Sequence, residues 1–360
     1  MFMAEQAKAK IAVLVCTNVI GGHEFQMATL VRDLVPLAEV TVYVNQEAHR
    51  AMFAETGART VLLQGLLLRP GHLLKQVRDG LAGRAGLRRH LGAPDTVLVS
   101  AGAVEAGVAA SIALYGWVPL SLYLPFFYDR VPTWGRKGYL YNYVLSRFCG
   151  FYRQIVTINR IQATVIRALT GVPTLVVPNL VRNVAPAPSV QRGRMLFVGR
   201  LDQQKRVEEL IQWADFEDNP FKELVIIGDG PLRSRIEELA AQARHIRIVL
   251  AGWLGPDAQD ALIDRNDVLL LNSLLEGEPL VIREANKRGM RVIARHITGV
   301  RGVTRRSGRF DSREQLQALL RQEDPVRQTL PVQAVKNDAA RRQRALRIFV
   351  DRIQPINPLT

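Results

Sequence analysis

The chain has 360 residues, 48% of them hydrophobic and 22% charged, with a formal net charge of +15 and a pI near 10.4. That length accommodates two domains of ordinary size, and the composition excludes a disordered or fibrous chain. Two cysteines, Cys16 and Cys149, provide neither a disulfide framework nor metal-ligand spacing and suit a reducing compartment; Cys16 lies in an apolar run and reads as inert core.

The first half alternates between strand-like and helix-like patterns. Residues 10–16 read as a strand, Gly21-Gly22 as a turn and 24–35 as an amphipathic helix. A strand at 39–44, a helix at 48–56 and a short strand at 60–63 follow. Residues 73–91 form a basic helical stretch, expected to break near Gly80 to Gly86. Next come a strand (96–99), a helix (104–115), a strand (118–124), a helix (139–151), a strand (155–158), a helix (161–169) and a strand (174–177). This alternation predicts a doubly wound parallel sheet with ligand at the carboxyl ends of its strands.

Two segments imitate membrane or export signals. Lys8 and Lys10 precede the apolar run 11–16, but Thr17 and Asn18 interrupt it, and a Gly-Gly turn stands where a cleavage site would be needed. Residues 97–128 carry Glu105 as their only charge, yet Gly102, Gly107, Gly116, Pro119 and Pro125 divide them. They read as strand, helix and strand buried in the sheet.

Residues 181–193, with Pro186 and Pro188 and little hydrophobic pattern, read as a linker between a first domain (1–180) and a second (194–336). In the second, strands are expected at 195–198, 224–227, 246–250, 268–271 and 291–294. Helices are expected at 207–213, 232–243, 258–265 and 282–287, giving a second Rossmann-like domain. From residue 337 a basic helical pattern returns. Charge is uneven: from Arg130 to Leu201 there are eleven Lys or Arg and no Asp or Glu, and residues 69–89 carry six cations against Asp79 alone. Such fields suit nucleic acid, an anionic membrane surface or phosphorylated ligands.

Two motifs carry the chemistry. In Phe197-Val198-Gly199-Arg200-Leu201-Asp202-Gln203-Gln204-Lys205, a strand end releases two cations five positions apart, a pattern that can clamp a diphosphate. In Glu276-Gly277-Glu278-Pro279-Leu280-Val281-Ile282-Arg283-Glu284, two carboxylates eight positions apart flank a helix start whose amides can meet an anion. Read in isolation, these are also solvated loop cations and a helix-start carboxylate pair. Hydroxyl-binding carboxylates beside diphosphate-binding cations describe a nucleotide-sugar site.

These segments resemble the donor site of the retaining glycosyltransferases of family 4, most strongly over 195–294. The resemblance implies the GT-B fold, an α/β architecture of two Rossmann-like domains facing across a cleft, with a helix at about 337–360 crossing back to the first. It gives Arg200 and Lys205 to the donor diphosphate, Glu276 to the sugar hydroxyls and Glu284 to the ribose. Gly199, Gly277, Leu280 and Val281 line the same donor site, and Gly228 and Gly230 form its neighbouring turn. Trp253 is a candidate wall of the base pocket. In the first domain, Gly21 and Gly22 would let backbone approach the phosphates; His23 reads as an exposed loop histidine, with contact to acceptor or phosphate as the alternative. The family's sugar-contacting His falls on Pro125, so Tyr123, Tyr128 and Asp129 are candidates to replace it. Asn179 matches the family's Pro-Asn before the linker. Glu278 and Arg283 stand where the family is commonly apolar.

The expected activity is transfer of a sugar from a nucleoside-diphosphate sugar to a saccharide or lipid-linked saccharide in bacterial polysaccharide or glycolipid biosynthesis. No metal or other cofactor is expected. The expected location is cytoplasmic, peripheral on the inner face of the cell membrane. A catalytically silent GT-B binding protein, a GT-B sugar epimerase and a basic nucleic-acid binder are the alternatives. The last lacks an aromatic-interleaved RNA motif or a helix-turn-helix signal, so no nucleic-acid partner is expected.

Overall fold

A computed structural model describes residues 8–17, 21–63, 73–127, 129–181, 184, 193–264, 267–322 and 332–353. The chain divides into two compact units, one of Met1–Leu180 with Asn337–Thr360 and one of Val181–Lys336.

The first unit is built on seven parallel strands: β1 (Lys10–Val15), β2 (Glu39–Val44), β3 (Arg59–Leu62), β4 (Thr96–Ser100), β5 (Leu120–Tyr123), β6 (Gln154–Thr157) and β7 (Thr174–Val176). Their order is β3-β2-β1-β4-β5-β6-β7, with Val13 in register with Val42 on one side and Leu98 on the other. The central strands are near-continuous apolar runs because both faces are covered. On one face Ala12 and Leu14 join Leu87, Leu114, Leu145 and Ile166. On the other, Ile11, Val13 and Val15 pack with Met27, Leu30 and Leu34 of helix Gly22–Leu34, and with Leu346 and Phe349 of the terminal helix Val332–Asp351. That terminal helix is pinned by the buried Arg342, whose Nε lies 2.5 Å from Asp33 Oδ2 and whose Nη1 donates to the Pro178 carbonyl at 2.7 Å.

Helix Leu73–Leu91 runs unbroken, contrary to the break expected at its glycines. Gly80 is there for contact: a Cβ at this position would lie 2.6 Å from the Ala109 carbonyl oxygen of helix Val104–Leu114. Two helices meet backbone to backbone, and the glycine permits it.

The second unit repeats the plan with six parallel strands: β8 (Met195–Val198), β9 (Glu223–Ile227), β10 (Arg247–Gly252), β11 (Val268–Leu271), β12 (Arg291–Arg295) and β13 (Arg309–Phe310), in the order β10-β9-β8-β11-β12-β13. Strand β13 and helix Arg313–Arg321 extend it beyond the elements read from the sequence. At the amino ends of β8 and β11, the fully buried Asp267 takes two hydrogen bonds from the Arg194 guanidinium, at 3.1 and 2.8 Å, and one from the Arg194 amide. This clamp ties together the two strands between which the strand order reverses. In such sheets ligands bind at that reversal, beyond the carboxyl ends of the strands.

Candidate functional site

Both sequence motifs leave the strands that flank the reversal in the second unit. Gly199–Lys205 follows β8, and Asn272–Pro279 follows β11. Lys205 Nζ and Glu276 Oε1 meet at 2.5 Å, with only 20% and 11% of their side chains exposed. The pair is assembled by its neighbours. The Gln204 carbonyl accepts from the Leu274 amide at 2.8 Å, and the Gln204 side-chain amide donates to the Leu275 carbonyl at 2.8 Å. Asp202 turns the first loop, its Oδ1 accepting from the Lys205 amide at 3.2 Å. On the far side of Glu276, a Cβ on Gly299 would stand 2.1 Å from the Glu276 carbonyl oxygen, so only glycine lets the segment after β12 back this loop.

Arg200 leaves the same strand end and is more exposed at 44%, with Nε 3.8 Å from Asp202 Oδ2. The Gly228–Gly230 turn braces this loop from the β9 side. Gly199 N donates to Ile227 O at 2.9 Å and Leu201 N to Asp229 O at 3.0 Å. Gly228 has φ +146°, and a Cβ there would lie 1.9 Å from the Gly199 carbonyl oxygen; one on Gly230 would lie 2.4 Å from that of Leu201. These glycines serve the contact between loops. Gly228 N donates in turn to Gly252 O at 2.7 Å, and the next residue, Trp253, is 69% exposed at the end of β10.

The second motif enters helix Leu280–Arg288, which begins at Leu280 with Pro279 as its N-cap at φ −70°. The proline's missing donor therefore falls before the first turn, and no side chain caps that turn. The amides of Leu280 and Val281 open the helix, where the macrodipole favours an anion. Glu284 lies one turn further on and lines a small pocket with Val198, Gln259, Val281 and Arg288. Glu278 and Arg283 pair with each other at 3.2 Å, each largely buried, so the two charges in a stretch expected to be apolar answer one another. Behind the site, Asn272 is fully buried and bridges Glu209 Oε2 at 2.8 Å and Arg295 Nη1 at 3.0 Å. Asn272 also donates at 3.2 Å to the carbonyl of Arg206, the one non-glycine with positive φ among the described residues. Gln204, Gly299 and Asn272 were missed from the sequence. Gln204 lies within a motif, whereas an isolated glycine or asparagine carries no signal.

In the first unit the corresponding reversal falls between β1 and β4. Gly21 is extended, and its amide is capped by the buried Glu24 at 2.8 Å. Among the described residues, nothing beyond its own chain neighbours lies within 4 Å of where a Gly22 side chain would sit. His23 Nε2 is 3.0 Å from Ser100 Oγ, and its ring is 5.5 Å from that of Tyr123. His23 Nδ1 is buried with no hydrogen-bond partner among the described residues, and burial lowers the imidazole pKa from 6.5, opposed by Glu24. Tyr123 is itself buried and its hydroxyl donates to Asn179 Oδ1 at 3.4 Å, so it supports His23 from the core. Asp129 accepts from the Val131 amide at 2.9 Å and the Asn142 side chain at 2.8 Å. Tyr128 lies outside the described residues. Both thiols are buried, with the pKa pushed up to about 12.

Residues 186–309, within the second unit, match the family model of the glycosyl transferases group 1. A stretch of 109 residues is 33% identical to an uncharacterized glycosyltransferase of Methanocaldococcus jannaschii, covering 29% of this chain and 28% of that protein. The match thus spans less than a third of the relative's length. Over nearly the whole chain, the fold is that of the lipopolysaccharide outer core galactosyltransferase WaaB in its apo form, with a TM-score of 0.62, 17% identity, and 92% and 98% of the two chains covered. Anabaena HepE in complex with UDP-glucose superposes with a TM-score of 0.68 at 12% identity, covering 95% and 98%. The architecture is therefore GT-B, two parallel-sheet Rossmann-like domains.

Proposed function

We propose that the protein is a retaining glycosyltransferase of family 4 that moves a sugar from a nucleoside-diphosphate sugar to a saccharide or lipid-linked saccharide acceptor. The observation that carries this reading is the Lys205–Glu276 pair at the strand-order reversal of the second unit. A bound donor would divide that pair, its diphosphate drawing the Lys205 ammonium and its sugar hydroxyls the Glu276 carboxylate. Departure of the nucleoside diphosphate builds negative charge, which Lys205, Arg200 and the Leu280 and Val281 amides are placed to receive. Glu284, set back by one helical turn, suits the ribose. The galactosyltransferase and UDP-glucose-bound neighbours support a nucleotide-sugar donor.

We place the enzyme at a membrane surface, as a peripheral protein on the inner face acting in bacterial polysaccharide or glycolipid biosynthesis. The support is the acid-free basic stretch from Arg130 to Leu201, and among the described residues no helix is long and apolar enough to span a bilayer. A panel of nucleotide-sugars, read by thermal shift and by donor hydrolysis, tests the donor assignment. One or more should stabilise the wild type and be turned over, with both effects reduced in Lys205→Ala. Stabilisation by none, or equal stabilisation of wild type and variant, would overturn it, and binding without turnover would mark a silent GT-B binder.

A further inference from the structure

Helix Arg136–Phe148 has an apolar face on both sides, and only one of them has a use in the fold. Its inner side is accounted for: Leu145 is buried in the core, with Tyr141 and Phe148 packed against it. Gly138 lies so close to the preceding segment that a Cβ would stand 2.6 Å from the Arg130 carbonyl. Its outer side reads Arg136, Tyr139, Leu140, Tyr143, Arg147, at the spacing of a single helical stripe. Tyr139 is 67%, Leu140 69% and Tyr143 63% exposed, and Trp134, just before the helix, is 46% exposed. The neighbouring helix Arg160–Thr170 repeats the pattern, with Ile161, Val165 and Leu169 exposed at four-residue intervals and Arg160 and Arg167 on the same helix. Large apolar side chains this far out of the core, grouped on adjacent helices, mark an interaction surface.

The charge identifies the occupant. Arg136, Lys137, Arg147, Arg160 and Arg167 are carried by the same two helices, and no Asp or Glu occurs between Arg130 and Leu201. Tyrosine, tryptophan and leucine framed by Lys and Arg is the chemistry of a bilayer interface, where rings settle among the headgroups and cations meet anionic phosphates. We infer that the outer stripe of helix Arg136–Phe148, extended by helix Arg160–Thr170, is the face that docks on an anionic membrane, with Tyr139, Leu140 and Tyr143 entering the interface. The inference rests on the membrane reading above and assigns it a surface. The helix lies in the plane of the headgroups, since 13 residues are too few to cross a bilayer.

Co-sedimentation of the full chain with phosphatidylglycerol-containing and pure phosphatidylcholine vesicles tests both levels. Wild type should bind the anionic vesicles and lose binding as salt rises from about 0.1 to about 0.5 M. The triple variant Tyr139→Ser/Leu140→Ser/Tyr143→Ser should bind the same vesicles about tenfold more weakly. Arg136→Glu/Lys137→Glu/Arg147→Glu should bind about a hundredfold more weakly, since each cation contributes about fivefold. The far-ultraviolet spectra and melting temperatures of both variants check that the fold is kept. If wild type binds anionic vesicles and both variants bind equally well, the membrane reading stands and this face is wrong. If wild type binds neither vesicle, or both equally, the membrane reading fails and this proposal fails with it. A wild-type dimer in sedimentation, reduced to monomer by the triple variant without any vesicle binding, would assign the face to a second copy and likewise overturn the proposal.

Discussion

Lys205 and Glu276 neutralise one another across 2.5 Å, which makes the pair both a structural and a chemical element. Removing one partner strands the other charge in a largely buried place, so Lys205→Met should cost about 1–2 kcal/mol of stability in addition to its effect on rate. The double variant Lys205→Met/Glu276→Gln should recover most of that stability, measured by urea unfolding, without recovering turnover. Turnover should fall by about a hundredfold in Lys205→Ala and in Arg200→Ala, on the order of 3 kcal/mol for one lost contact to leaving-group charge. Near-wild-type rates in both variants would remove the donor-site assignment. His23 makes a separate prediction at this scale. Its folded pKa is depressed by burial, so below the usual 6.5 the unfolded chain binds more protons than the folded one. The stability associated with a neutral His23 is thus present above about pH 6.5 and lost as the pH falls below that value through the lowered pKa of the folded state. His23→Gln should show a shallower loss of urea midpoint between about pH 7.5 and about pH 5. An unchanged slope would mean the ring is not held neutral.

At the scale of elements, the donor loops depend on neighbours that do not themselves carry charge. Gln204 stitches the β8 loop to Leu274 and Leu275 at 2.8 Å, and its loss should let Lys205 and Glu276 drift apart. Gln204→Ala should lower kcat by about tenfold with little change in nucleoside diphosphate affinity, because misplacement acts on the transition state more than on ground-state binding. Gly299→Ala should do more, since its Cβ would strike the Glu276 carbonyl at 2.1 Å. Turnover and calorimetric affinity, measured together, separate positioning from a direct contact, and a change confined to affinity would refute the positioning role. Elements were legible in the sequence where their pattern is local. Apolar runs such as Met195–Val198 and Val268–Leu271 announce buried parallel strands, and the pair of motifs pointed to one end of one sheet. Helix Arg313–Arg321 carries the same kind of local signal, a Ser312 cap and the spacing of Leu316, Leu319 and Leu320. Gly80 was misread because a glycine within a helical pattern looks the same in sequence whether it breaks the helix or admits a neighbour. The Glu278–Arg283 pair and the backing of Glu276 by Gly299 depend on three-dimensional proximity that no spacing encodes.

At the scale of the whole molecule, the last helix belongs with the first unit through an ion pair that spans nearly the entire sequence. Arg342 is 2% exposed, its Nε is 2.5 Å from Asp33 Oδ2, its Nη1 bonds the Pro178 carbonyl at 2.7 Å, and its Nη2 is buried with no partner among the described residues. Around it Ala345, Leu346, Phe349 and Val350 add apolar area to the core that covers β1 and β2. The two contributions respond differently to substitution. Asp33→Ala leaves a buried guanidinium without its counter-charge and should cost about 3–5 kcal/mol. Arg342→Met replaces the cation with an apolar chain of similar length and should cost much less, because the desolvation penalty disappears together with the attraction. Phe349→Ala, a cavity in the same core, should cost about 3–5 kcal/mol. Urea unfolding of the three variants decides the matter. If Arg342→Met proves as damaging as Asp33→Ala, the terminal helix is held chiefly by the charge pair and its carbonyl contact. If Asp33→Ala is mild while Phe349→Ala is severe, the helix is held by its apolar face, and the ion pair only selects the register in which that face docks.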